Sequence, residues 1–548
     1  MLKCISYSLL LIVVVGCRPP AAGPDSPESL FLTDPMIRVN PHETVPLCAL
    51  VSFETSKPSI AWLEISSEDG TRETPHTDPK TSHALAVLHL KSDQTYTITP
   101  FVERDSIRES GDPLSITTEP LPKSFPPLET VLAEPESMEP GVTIFPTNIW
   151  RDDRSVMEYG YLVGLDTSGE VVWYYHSDHR TADVQQMQNG HLLVQHANYY
   201  RLFEVDVLGR VHRSWHASRL ADPPLDETSI PVDVDTMHHE ILELPSGNFL
   251  TLATEIQEFP NYLTSEFDED APREHAHAVC DVIVEFAPDT GEVVKRLHTI
   301  DLLDRDRFGY MALTGFWKDK YNERIDALSR DWSHANAMIY VPEDNAVIVS
   351  FRHQDCLVKI DWETDQIIWI LGNPSGWGAQ WQAKRLQPVG DLEWPYHQHG
   401  PQLTPHGTIL VYDNGNFRAH PFEEFVPAFK NYSRVVEYKI NEENMTVEQA
   451  WEFRGDGEDP FFCPFYCEAD WLPQTGNILI TDGGHIEDER GVVSGQVPGD
   501  QQWARIFEIT RESPPRKVFE VTCKSRLKQF GWSIYRSRHL PSLDALAY

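Results

Sequence analysis

The sequence predicts an all-β chain: a six-bladed β-propeller preceded by a small N-terminal β-sandwich of fibronectin or immunoglobulin type. Two repeating patterns carry that expectation. Six segments alternate apolar residues, break at a central turn and alternate again, at Tyr161–Trp173, Leu202–Trp215, Val282–Leu297, Leu357–Ile370, Val435–Phe453 and Arg505–Val521. Each reads as an antiparallel hairpin. Between them recurs a phrase of apolar-Pro-x-Gly-Asn/Thr and then a strand, at Leu244–Leu250, Thr404–Leu410 and Leu472–Leu479, with weaker copies at Met187–Leu193 and Val341–Val347. One phrase plus one hairpin makes four strands, the content of a propeller blade. Five phrases against six hairpins leave one phrase to be found near Val142–Trp150, where it would close the ring.

Taken from the start, residues 1–16 read as a lipoprotein signal peptide: a basic Lys3, an apolar run over Leu9–Val15 and Gly16 before Cys17. The run is far shorter than the roughly 20 apolar residues of a spanning helix. Val14-Val15-Gly16-Cys17 resembles a lipobox, which makes Cys17 the lipidated residue. Arg18 rather than Asp follows it, pointing to the periplasmic side of the outer membrane. Residues 17–29 form a flexible Pro/Ser tether, 30–120 the β-sandwich, 121–140 a Pro/Glu-rich linker and 141–540 the propeller. Within the propeller, 256–280 reads as an acidic loop and 300–331 as a partly helical insertion. Interruptions of that length generally shape a site.

The chain holds 45 Lys and Arg against 84 Asp and Glu, a net charge of −39, which excludes nucleic acid as a partner. Besides Cys4 and Cys17 there are six cysteines, in a compartment that permits disulfides. Cys463 and Cys467 are the one local pair that a disulfide could close. A zinc site would need more close ligands than the sequence supplies there.

The first strand of each blade lines the channel of a propeller, so the residues just before each phrase are where chemistry would converge. His239 stands six residues before Pro245 and His399 six before Pro405, and His334 takes the same place before Pro342 with a longer turn. Asp183 and Cys467-Glu468 lie near it in two other blades. By strand alternation, His238 should point away from His239, and His353 away from Arg352. Arg352 ends the strand after His334. Its fixed charge would repel a metal cation and suits an anionic tetrahedral group instead. Asn336, on the same face as His334, could add a neutral donor.

These residues sit in segments that carry a resemblance. Asp331-Trp332-Ser333-His334-Ala335-Asn336, Ser350-Phe351-Arg352-His353-Gln354, and Gln398-His399 followed by Tyr412-Asp413-Asn414-Gly415 resemble the segments that mark bacterial arylsulfate sulfotransferases. His238-His239-Glu240 and Val435–Ile440 are similar too, and the likeness extends from the propeller to the N-terminal β-domain. The resemblance implies sulfuryl transfer from a phenolic sulfate ester to a phenol, without a nucleotide donor, by a ping-pong exchange through a sulfohistidine. It implies His399 as nucleophile, Arg352 as the sulfuryl-binding residue, His239 and His334 as supporting catalytic residues and Asn336 as a substrate-binding position. It further implies no cofactor and no metal and a homodimer, while the lipobox-like start leaves membrane contact to the lipid alone. One departure is that 372–396 lacks the cysteine pair that family members can carry shortly before the nucleophile. The residues by themselves leave other readings open: His239, His334 and His399 as ligands of a metal-dependent propeller enzyme, a non-catalytic surface binding propeller, or a sulfatase.

Overall fold

A computed structural model describes residues 29–547 except 152–155, 198, 221–226, 322–329, 456, 458–460, 489, 491, 494–499 and 528–529. The expected signal peptide, nearly all of the tether and Cys17 lie outside the described residues. Seven strands cover 36–117 and all connect through the long strand Ala49–Ser67. Its first part pairs with Met36–Val39 and Lys80–Val87, and its second part with Gly70–Glu73 and Thr95–Arg104.

Six further sheets are the blades of the propeller. Blades two to five start from the inner strands Thr181–Gln186, His238–Glu243, Ala335–Val341 and His399–Leu403, and blade six from Glu468–Trp471. Each inner strand leads through the repeated phrase into the second strand. The phrase works because its glycine takes a left-handed conformation that other residues resist: φ is 85° at Gly190, 84° at Gly247, 71° at Gly407 and 73° at Gly476. Asn345, at φ 46°, takes that place in blade four, which is why its phrase looks weak in sequence. The hairpins follow the predicted pairing, as in Leu357↔Leu371 and Val435↔Phe453. Their alternating side chains fill apolar layers between neighbouring blades, such as Val349, Val358 and Ile370 against Leu252 and Ile283.

The ring closes differently from the expectation. Val142–Arg151 is not an inner strand. It is the second strand of blade one, and the C-terminal strands Phe530–Ile534 and Arg538–Leu540 pair along its inner edge. No sixth phrase is needed, because the inner and second strands of this blade come from opposite ends of the chain. Leu128–Ala133, expected as linker, is the outermost strand of blade six, pairing with Lys517–Cys523. It is held by its backbone and stays half-exposed, so it shows no apolar alternation. Both ends of the propeller segment thus latch the ring. The expected acidic loop 256–280 is mostly strand: Phe249–Tyr262 and Glu274–Phe286 run on as a paired hairpin beyond the blade, with Ile256↔Val279 and Phe259↔Ala276 in register. In the 300–331 insertion the only described α-helix is the single turn Lys318–Tyr321.

Candidate functional site

The inner strands of neighbouring blades pack around the axis, and near the start of four of them the regular register slips. The slips fall between Thr181 and Val184, His238 and Ile241, Ala335 and Ala337, and His399 and Gln402. Such bulges re-aim side chains. Left-handed backbone at His239 (φ 59°), His334 (48°), His397 (52°) and Gly400 (53°) accompanies them. Each non-glycine residue held there is strained by ~1–2 kcal/mol, strain the surrounding blades must offset.

The result gathers the predicted histidines. His239 and His334 come from different blades, yet their ring centroids are 5.0 Å apart. His334 stacks on His353 at 4.6 Å, and its Nδ1 lies 2.5 Å from Asp331 Oδ2. His399 is buried, and its Nδ1 faces two oxygens, Asn414 Oδ1 at 2.7 Å and the His397 carbonyl at 3.1 Å. Two acceptors around Nδ1 require the proton to be on that nitrogen. Nε2 of His399, with no hydrogen-bond partner among the described residues, therefore carries a lone pair. Burial holds His239, His334 and His399 far below the usual histidine range. Arg352 adds to this at His334 and His399, and neighbouring imidazoles do so at His239. All three rings are neutral bases at physiological pH.

Arg352 opens a short 3-10 turn rather than continuing its strand. Its Nη1 donates to His353 Nε2 at 2.8 Å and its Nη2 to the Pro464 carbonyl at 3.0 Å. The turn overturns the expectation that His353 faces away from Arg352: strand alternation does not apply to 352–354. His238 likewise does not point away, since its Nδ1 lies 2.7 Å from His239 Nδ1, across the bulge. Burial brings the Arg352 guanidinium down to about 10, so it remains a cation. Asp331, His334 and His353 offer three possible metal donors. The lone pair of His353 Nε2 is, however, engaged by Arg352, and the guanidinium would oppose any cation placed there. The same group suits an anion.

Asn336 donates through Nδ2 to the Gln398 carbonyl at 2.8 Å, so it ties blade four to the residue before His399. Cys463 and Cys467 are the local pair considered above. They are buried with their sulfurs 3.0 Å apart, and Gly484 and Gly483 donate backbone N–H groups to them. Below the histidines the channel is filled by ions. Arg536 pairs with Glu240 and lies 3.8 Å from Asp183, while Arg538 pairs with Glu468 and lies 3.6 Å from Asp470. Burial lifts Glu240 to about 7 and Asp470 well above the carboxylate range.

Several site groups went unassigned in the sequence. Asp331 and Asn414 lie inside the quoted segments, but their partners are set by the fold. Tyr199 stacks on His239 at 5.2 Å and the half-exposed Phe316 stands edge-on to His334 at 5.1 Å. Tyr535 lies 5.9 Å from His239. Their convergence carries no local signal. Only the spacing of Arg536 and Arg538 was there to be read, as two cations two residues apart.

A propeller with neutral imidazoles and one guanidinium at a single end of its axis, walled by aromatic rings, can bind a tetrahedral anion attached to a ring and attack it with a nitrogen lone pair. The sequence comparisons place it in a family. Residues 129–536 match the profile of the arylsulfotransferase (ASST) family, and the chain belongs to that family. The arylsulfate sulfotransferase AssT of Escherichia coli O6:H1 is 33% identical over 174 residues, 29% of this chain and 28% of its own length. AssT of Lelliottia amnigena is 36% identical over 171 residues, 28% of each chain. Both matches therefore span less than a third of the curated relatives' length. Among solved structures, virginiamycin B lyase of Staphylococcus aureus is 9% identical and covers 72% of this chain and 89% of its own, at a TM-score of 0.30. That likeness is too distant to bear on activity.

Proposed function

We propose that the protein is an aryl-sulfate sulfotransferase that carries the sulfuryl group on His399. The observation that supports this most is the proton-free Nε2 of a buried, neutral His399 close to the buried cation Arg352. In the first half-reaction the Nε2 lone pair forms an N–S bond while the aryl O–S bond breaks. The electron pair leaves with the phenolate, which takes its proton from solvent. In the second, an acceptor phenol gives its proton to neutral His334 or His239, which then releases it to solvent. Its oxygen bonds to sulfur, and the N–S electron pair returns to Nε2. Arg352 holds the sulfuryl oxygens as charge spreads over them, and Asp331 orients His334 for the proton transfers. Tyr199, Phe316 and Tyr535 supply flat apolar surface for the aryl rings. His353, whose Nε2 accepts from Arg352, aims the guanidinium.

The chain also supports a lipid-anchored, periplasm-facing protein, through Cys17 in its lipobox-like segment. Radiolabelled palmitate incorporated by the wild type and absent from Cys17→Ser checks that expectation. The activity is tested with 4-nitrophenyl sulfate as donor and a naphthol as acceptor. Parallel double-reciprocal lines and naphthyl sulfate as the product are expected. Free sulfate as the sole product would make the protein a sulfatase, and activity abolished by chelators would favour the metal enzyme.

A further inference from the structure

We propose that Asn414 is a positioning residue: it holds His399 as the Nδ1–H tautomer, and it does so with a neutral amide so that the sulfated ring is left without a counter-charge and readily gives up its group. The inference deepens the sulfotransferase reading and rests on it.

The geometry allows one arrangement. Asn414 follows the second strand of blade five, Ile409–Asp413, and is fully buried. Its Nδ2 donates to the Cys463 carbonyl at 2.8 Å and to the Tyr466 carbonyl at 3.2 Å. Both partners are acceptors, so the amide cannot turn over, and Oδ1 is fixed toward His399 Nδ1 at 2.7 Å. Between those two carbonyls lies that of Pro464, which accepts from Arg352 Nη2 at 3.0 Å. One turn, 463–466, thereby sets the orientation of both nucleophile and guanidinium. Tyr466, at φ 65°, and Cys467, at 83°, bend the chain so that these carbonyls point into the site.

The chemistry explains the choice of an amide. When Nε2 forms its bond to sulfur and the aryl oxygen leaves with its electron pair, the ring keeps its Nδ1 proton and becomes an imidazolium bearing a sulfo group. A carboxylate at Nδ1 would stabilise that cation by a charge-assisted hydrogen bond, and the second transfer would slow. The neighbouring His334 has the opposite partner, the carboxylate of Asp331 at 2.5 Å. That pairing suits a ring whose task is to take up and return protons. The two histidines are thus assigned different work by the group behind Nδ1.

The test uses the full chain. In 15N-histidine-labelled protein, with the His399 signal assigned by its loss in His399→Gln, the resting ring should show a protonated Nδ1 and a bare Nε2. An Nε2–H or mixed tautomer would overturn the proposal. In Asn414→Asp, sulfo-enzyme made from 4-nitrophenyl sulfate without acceptor should react with naphthol at least about tenfold more slowly. Its acid limb for the first half-reaction should also move to higher pH. Arg352, His334, His239, Arg536 and Glu468, the other charged or titratable groups facing His399 or packed on Gly400, stay unchanged, so the shift reads the new partner alone. In Asn414→Leu the adduct should form ~10–100-fold more slowly with donor affinity retained. Equal adduct lifetimes in the wild type and Asn414→Asp would refute the role of the neutral amide. A wild type that forms no adduct would overturn the transfer reading instead, and the tautomer signal would then decide the positioning claim on its own.

Discussion

Replacing Arg352 by methionine separates the site's chemistry from the fold that builds it. Two unit charges ~4 Å apart at an effective dielectric of ~20 attract by ~4 kcal/mol. Only the part of that attraction that grows toward the transition state changes the rate. Loss of one pre-aimed donor from such a site lowers rates by ~10²–10³, or ~2.7–4 kcal/mol. Stopped-flow release of 4-nitrophenol in the first turnover should therefore slow by about that factor in Arg352→Met. Arg352→Lys keeps the charge but loses the two-pronged grip on His353 Nε2 and the Pro464 carbonyl, and should fall between. Arg352 also holds the protonation of His399 and His334 down, so the acid limb of Arg352→Met should move up toward pH ~6.5. The melting temperature should change little. Removing a buried cation relieves its desolvation, which offsets the ~1–3 kcal/mol for each partner left unpaired. A first turnover within threefold of the wild type, with an unmoved acid limb, would refute the role given to the guanidinium.

In the wild type, His399 must be neutral to attack, and burial holds its protonation well below the usual range. The rate of the first half-reaction should accordingly stay level as pH falls through ~6.5 and drop only at lower pH. An acid limb at or above that value would contradict the neutral nucleophile. Asp331→Asn should slow turnover ~10–100-fold, with a larger loss for acceptor phenols of higher pKa, which depend more on proton uptake by His334. A loss equal for all acceptors would remove His334 from proton transfer. Deleting residues 530–548 takes Trp532, Ile534, Tyr535, Leu540 and Leu543 out of the core. At ~1.5–3 kcal/mol for each such side chain the loss is comparable to the whole stability of a typical domain. The truncated chain should show no cooperative melt by circular dichroism, and a transition within about 5 °C of the full chain would mean that the C-terminal strand is not the latch.

The blades were legible because their signals are local. Gly247, Gly407 and Gly476 mark turns that need left-handed backbone, and alternation over ten residues marks a hairpin. The position six residues before Pro245 and Pro405 carried the histidines, since equivalent places in a repeat become neighbours in a closed ring. What stayed hidden depends on partners far along the chain. Leu128–Ala133 is a strand only because Lys517–Cys523 lies beside it. The inner strand of blade one was sought at Val142–Trp150, whereas it is supplied from 530–540. Residues 256–280 are charged on both faces where the hairpin leaves the blade, so polarity read as loop. The facing of His238 and His353 followed ideal alternation, and a bulge in one case and a 3-10 turn in the other overrode it. Asn414 was in plain view, but the carbonyls that aim it belong to Cys463 and Tyr466, about fifty residues later.

The central claim is that a covalent bond between sulfur and His399 Nε2 forms during turnover. Intact-protein mass spectrometry of the enzyme mixed with 4-nitrophenyl sulfate and no acceptor tests it most directly. One added SO3 per chain is expected, mapped to the peptide holding His399, discharged by naphthol and absent in His399→Asn. An enzyme that transfers sulfuryl groups at full rate while remaining unmodified, or that carries the group on another residue, would contradict it.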